Sequence, residues 1–258
     1  MKKKHFIRID SDKCVGCGLC RKDCPTANIA LKNKKAEIIS QDCIMCGHCV
    51  AVCPKAAIFM TGFEKLPEKI EKPTILEPQE LLDAIKMRRS IRQFTNQQVS
   101  QEQIAQIIEA GRLTPSGGNS QDVSFIVLKD DLVRFEKHAV RLFKRLLPIM
   151  KLVNPAAKRM DIDDHFFFKK APAAIVIVSP NKINGALAAA NMELMSEACG
   201  LGVLYSGFFS MAVNRSRSLR RMLGIKHGDK AVTTLVLGYS AVNYHRTVQK
   251  EEALVRQF

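Results

Sequence analysis

Two segments of this chain are apolar almost without interruption: Ala173–Ser179 reads AAIVIVS and Val232–Gly238 reads VTTLVLG. A strand with one wetted face alternates, so continuous runs of this kind predict strands covered on both faces. Val123–Lys129 is a shorter β-branched run. Around these runs the period lengthens. Gln79–Arg89 and Gln101–Arg112 predict helices, the second entered by Ser100 with Gln103 three residues on, a capping box. Asp130–Met150 predicts a helix with basic residues on one side, and Gly185–Cys199 an Ala/Met-rich helix ended by Gly200. Helices interleaved with strands over 79–258 predict a core of their own, α/β or α+β in class.

The first sixty residues contain a repeat instead. Cys14, Cys17, Cys20, Cys24 and Pro25 recur at Cys43, Cys46, Cys49, Cys53 and Pro54, a constant offset of 29 that Gly18/Gly47, Ala27/Ala56 and Ile29/Ile58 also keep. Two copies of one small unit are implied. Thr61–Pro78 then places Pro67, Pro73 and Pro78 among charges and reads as an extended connector. The expected organisation is a domain over 1–60, a linker over 61–78 and a second domain over 79–258.

The repeated spacing is C-x2-C-x2-C-x3-C-P, as CVGCGLCRKDCP and CIMCGHCVAVCP. Thiolates at i, i+3 and i+6 can wrap one cubic cluster, while the fourth sits where the chain turns away. Residues 5–60 resemble two-cluster bacterial ferredoxins, in which the fourth cysteine of each run ligates the partner cluster. The resemblance implies two [4Fe-4S] clusters, one on Cys14, Cys17, Cys20 and Cys53, the other on Cys43, Cys46, Cys49 and Cys24. Gly16, Gly18 and Gly47 suit tight turns whose amides point at sulfur. A pair of structural zinc sites is the competing reading, although zinc ribbons usually present widely separated C-x2-C pairs. His48 is expected in solvent, and Cys199, outside both runs, as a small buried residue at a helix end.

Two features of the second domain carry chemistry. Arg88-Arg89-Ser90-Ile91-Arg92 gathers three guanidinium groups and a hydroxyl at a helix end, a set suited to a phosphate monoester. Thr114-Pro115-Ser116-Gly117-Gly118-Asn119-Ser120-Gln121 is a loop that offers hydroxyls, amides and bare backbone to whatever lies against it. Downstream, a helix containing Asn191 leads to Gly200-Leu201-Gly202 and Tyr205-Ser206-Gly207, and Leu237-Gly238-Tyr239-Ser240 precedes Arg246. In this order the motifs resemble the nitroreductase-like FMN-dependent family over Glu80–Phe258.

That resemblance implies an α+β domain with a central mixed sheet flanked by helices, bound FMN, and a homodimer with FMN at its interface. It implies that Arg88, Arg89, Ser90 and Arg92 hold the FMN phosphate and ribityl chain, joined by Arg246 at the phosphate. Pro115, Ser116, Gly117 and Asn119 would line the isoalloxazine from the other subunit, and Tyr205, Ser206 and Gly207 would supply amides near N5 and O4. Two positions depart from the family. Asp122-Val123 stands where Pro-Trp often follows Asn-Ser-Gln, and Tyr244 stands where a Lys often precedes the final Arg. A Rossmann dinucleotide site is unsupported, because Gly200-Leu201-Gly202 follows a helix and its sixth position is Tyr205.

Composition narrows the function further. The chain has 258 residues, 47% hydrophobic and 25% charged, which is ordinary globular material. Ala198–Asn214, the longest uncharged stretch, is broken by three glycines, and Lys2–Lys4 is followed by Arg8 and Asp10. Neither a membrane span nor a secretory signal is expected, and the clustered cysteines favour metal ligation in a reducing cytoplasm. The net charge of +15 would suit nucleic acid, but no aromatic–basic interleaving or DNA-binding motif accompanies it. Two ligated oxidised cluster cores contribute about −4 and an FMN phosphate about −2, leaving the holoprotein near +9. The expected function is an oxidoreductase that passes electrons from the clusters to FMN and on to a nitroaromatic, quinone or activated alkene. Reduced ferredoxin or NAD(P)H would be the donor, and no catalytic acid or base is expected. The alternative is an electron carrier serving a partner enzyme.

Overall fold

A computed structural model describes residues 5–40, 42–153 and 158–258. Lys2–Lys4, which bear on the secretory-signal expectation, lie outside them. The chain divides into two compact units. The first runs to Ile75 and also includes Ser116–Ser120; the second comprises Leu76–Pro115 and Gln121–Phe258.

In the first unit, β1 (Ile7–Ile9) pairs antiparallel with β4 (Ile58–Met60), and β2 (Ile29–Lys32) with β3 (Lys35–Ile38). Asn33 and Lys34 close the second pair with φ of 49° and 60°, the two-residue geometry whose twist matches a hairpin. Two four-residue helices, α1 (Leu19–Lys22) and α2 (His48–Ala51), start from Gly18 and Gly47 at φ 77° and 76°. The sequence repeat is therefore a backbone repeat. Its offset also relates Ala27 to Ala56 (49° and 46°) and Gly16 to Met45 (69° and 54°). The core is thin: Ile7, Ile29, Ala36, Ala57 and Ile58 pack with Cys14, Cys20 and Cys49, so cysteines form part of the interior. Residues 62–77 form neither helix nor strand.

The second unit is built on a four-stranded sheet in the order β5 (Ser124–Leu128), β6 (Ala173–Ser179), β8 (Lys230–Gly238), β7 (Gly202–Tyr205). All three named pairings are antiparallel, and among the described residues the parallel component is the bridge Ser90–Val203 beside β7. Every residue of β6 is buried. Ala174, Val176 and Val178 face a cluster with Phe143, Phe167 and Phe209, while Ala173, Ile175 and Ile177 face Ile107 and Met192. Strand alternation thus feeds two cores at once, which is why the run is apolar from Ala173 to Val178.

Helices α5 (Leu132–Val153) and α7 (Gly207–Arg215) supply the first of these cores, joined by Leu219 of the short α8 (Arg217–Met222). Helices α4 (Gln101–Arg112) and α6 (Lys182–Ala198) supply the other. Gly185 lies inside α6, where a Cβ would stand 2.6 Å from Val232 Cγ2, so glycine there allows the helix to close on β8. Phe167 and Phe168 are core residues. The buried carboxylate of Glu136 accepts both their amides, at 3.0 and 2.7 Å, and lies 3.6 Å from His165 Nδ1. Among the described residues, no helix is long and apolar enough to cross a membrane.

Candidate functional site

The eight cysteines of the two runs ring two cavities of nearly equal size, about 350 and 360 Å³. Cys14, Cys17 and Cys20 line the first together with Cys53; Cys43, Cys46 and Cys49 line the second together with Cys24. Each cavity thus brings together three cysteines of one run and the fourth of the other. Backbone amides point at the sulfurs: Ala36 N–H to Cys14 Sγ at 3.4 Å, Met45 N–H to Cys43 Sγ at 3.4 Å, and Asn28 and Ala57 N–H to Cys24 and Cys53 Sγ at 3.3 Å each. The amides of Ala36 and Gly16 hold the Cys14 thiol below its ordinary pKa. Burial, with the charges of Cys43 and Cys46 nearby, pushes Cys49 up to about 11. Burial and its two run-mates likewise raise Cys20. Crowded thiolates with these mutual costs fit a cationic core that neutralises all four. Among the described residues no His, Cys, Asp or Glu cluster of three or more converges on a single metal ion. His48 is exposed at the rim of the second cavity. Cys199 is half-buried at the end of α6, with its thiol 3.4 Å from Gln106 Oε1 and its pKa raised by burial.

The second unit brings most of the expected FMN residues to one edge of its sheet. Helix α3 (Pro78–Met87) ends at Arg88, and the chain then runs beside β7: Ile91 N–H donates to Val203 O at 2.9 Å. A Cβ on Gly202 would lie 2.3 Å from Ile91, so that glycine lets the arginine segment seat against the strand. Thr95 N–H donates to Tyr239 O and Ala241 N–H to Gln93 O, fastening the C-terminal segment alongside. Arg89 Nη2 reaches Arg246 O at 3.2 Å, and its guanidinium lies 6.0 Å from the centre of the Tyr244 ring. Tyr244 thus supports an arginine through its ring face.

Arg88 has a partner within the second unit. Its guanidinium pairs with Glu193 at 2.7 Å, and Glu193 also accepts the Tyr205 hydroxyl at 3.1 Å. Burial and the Glu193 charge raise the pKa of Tyr205 far above the ordinary tyrosine value, and burial beside Glu193 raises that of Glu197. Sequence reasoning missed Glu193. The signal available was a carboxylate at the centre of an Ala/Met-rich helix.

Ser206 N–H is taken by Thr234 O at 2.8 Å, which pins the end of β7. The amides of Gly207, Phe208 and Phe209 precede the first bond along α7, made by Ser210 N–H to Ser206 O. A Cβ on Gly207 would meet nothing within 4 Å. A helix start whose first amides make no bond along the helix fits a flavin phosphate or ring carbonyl. Pro115 belongs to this unit, whereas Ser116, Gly117 and Asn119 belong to the first.

A model of the nitroreductase family matches residues 85–239. The chain belongs to the nitroreductase family. A 4Fe-4S dicluster domain model matches residues 6–54, placing an iron–sulfur domain ahead of the nitroreductase domain. An Archaeoglobus fulgidus protein provisionally named NADH dehydrogenase/NAD(P)H nitroreductase is 28% identical over 171 residues, 62% of this chain and 86% of that one. Among solved structures, a Desulfitobacterium hafniense nitroreductase with bound FMN superposes with a TM-score of 0.58 at 23% identity, covering 69% of this chain and 98% of that one. A Bacteroides fragilis nitroreductase with bound FMN gives 0.57 at 20% identity, covering 69% and 99%. These two likenesses show the nitroreductase fold.

Proposed function

We propose that this chain is an FMN-dependent oxidoreductase that carries two [4Fe-4S] clusters and passes electrons from them through the flavin to a small organic acceptor. The observation that carries this reading is the crosswise lining of two equal cavities, each by three cysteines of one run and the last cysteine of the other. The proposed ligand sets are Cys14, Cys17, Cys20 and Cys53, and Cys43, Cys46, Cys49 and Cys24.

In the nitroreductase domain, Arg89, Ser90, Arg92 and Arg246 bind the phosphate and ribityl chain. Arg88 acts one step back: its pair with Glu193 ties the start of that segment to α6. Gly207 and the first amides of α7 orient the ring edge, while Tyr205 and Ser206 fix the strand end that presents them. The loop Pro115, Ser116, Gly117 and Asn119 is assigned to the ring face by the family resemblance, across a homodimer. FMN, when bound, supplies hydride and single-electron transfer, so the protein's part is binding and orientation rather than acid–base chemistry. Reduced ferredoxin or NAD(P)H is the proposed donor, and nitroaromatics, quinones or activated alkenes the acceptors.

Anaerobically purified protein is expected to reduce such an acceptor, to lose that activity when FMN is stripped, and to regain it when FMN is restored. Full activity without flavin would overturn the reading. Reduced protein that turns over no small acceptor, yet is re-oxidised by a partner protein, would make it a carrier.

A further inference from the structure

The two cysteine runs are copies in sequence but are braced by different parts of the chain. Around the first run the braces are local. The Lys34 carbonyl packs over Gly16, 2.0 Å from where a Cβ would sit, and Lys35 Nζ donates to Cys14 O at 2.6 Å and Ser11 O at 2.8 Å. The repeat places Met45 and Glu64 where the first copy has Gly16 and Lys35, so neither brace is reproduced. The second run is held instead by Asn119. Its side-chain Nδ2 donates to Ile44 O at 3.0 Å and to Met45 O at 2.8 Å, the two carbonyls directly after Cys43. Asn119 lies 74 residues beyond Met45, inside the segment matched to the nitroreductase family, and yet belongs to the first compact unit. Its φ of 52° is left-handed, a conformation that asparagine tolerates better than most residues.

We propose that Asn119 is a positioning residue for the cluster on Cys24, Cys43, Cys46 and Cys49, and that it couples this cluster, and not the other, to the flavin. The inference rests on the function proposed above. Hydrogen bonds to the sulfurs tune a cluster's potential, and Met45 N–H supplies one to Cys43. By holding the Ile44 carbonyl, Asn119 fixes the peptide plane that carries that amide, and by holding the Met45 carbonyl it fixes the plane that follows. The loop that carries Asn119 is also the one assigned to the isoalloxazine face. Ordering this loop on the flavin and ordering it on the second run are then one event, and such coupling is reciprocal.

The test is a redox titration of the holoprotein followed by electron paramagnetic resonance, with FMN bound and after its removal. It compares the wild type with Asn119→Ala and Asn119→Asp; the aspartate keeps the shape and the left-handed preference but removes the donor. In both variants one cluster is expected to fall in potential while the other stays. In the wild type, FMN removal moves that same cluster, and in the variants it no longer does. Two clusters that both stay put, or that move together, in protein retaining its full iron and flavin would overturn the inference alone. Protein lacking clusters or FMN in the wild type would overturn the functional reading with it.

Discussion

Gly16 and Met45 occupy equivalent places in the two cysteine runs, and only one of them tolerates a side chain. At Gly16 a Cβ would meet the Lys34 carbonyl at 2.0 Å with φ at +69°. Backbone cannot yield as a side chain can, so Gly16→Ala is expected to dislodge the turn that aims its amide at Cys14. About half of the iron should be lost, with the second cluster's spectrum retained; iron analysis and electron paramagnetic resonance check this. Tyr205 gives a second prediction at this scale. Its folded-state pKa is raised by burial and by Glu193, so its contribution to stability is present below the unfolded value, about 10, and is lost as pH rises beyond it. Tyr205→Phe should lose about 1.5 kcal/mol at neutral pH, the size of a hydrogen bond to a charged group. It should also show a shallower loss of stability above pH 10 than the wild type in urea unfolding.

Elements were legible in the sequence wherever one local rule decided them. The AAIVIVS run gave the bounds of β6 because both faces are buried, and Ser100 with Gln103 gave the start of α4, where both reciprocal capping bonds form. Ser100→Ala should therefore lower stability by about 1 kcal/mol without changing cofactor content, measured by chemical unfolding. Helix α6 was read as starting at Gly185, although Asn181 caps it and Lys182 begins it. The glycine is there for contact with Val232 rather than as a terminus. What could not be read was long-range pairing. Arg88 with Glu193, 105 residues apart, and Asn119 with Ile44, 75 apart, follow no periodicity and leave no local trace. The arginine segment was recognised as a unit, but which of its guanidinium groups turns inward depends on a helix far along the chain.

At the scale of the whole molecule, a cysteine-ringed pair of cavities and a nitroreductase domain share one chain whose bare charge is +15. Bound clusters and an FMN phosphate are anionic additions, so much of that excess is matched by cofactors the chain would hold. The remaining positive charge should act on encounter rate with an acidic donor or anionic acceptor, so reduction by such a donor should slow as salt is raised. The central claim is that one chain holds both cofactor types. Its most direct test is anaerobic purification followed by quantification of iron, acid-labile sulfide and flavin per chain. Eight iron, eight sulfide and one FMN are predicted; zinc in place of iron, or iron without flavin, would contradict it.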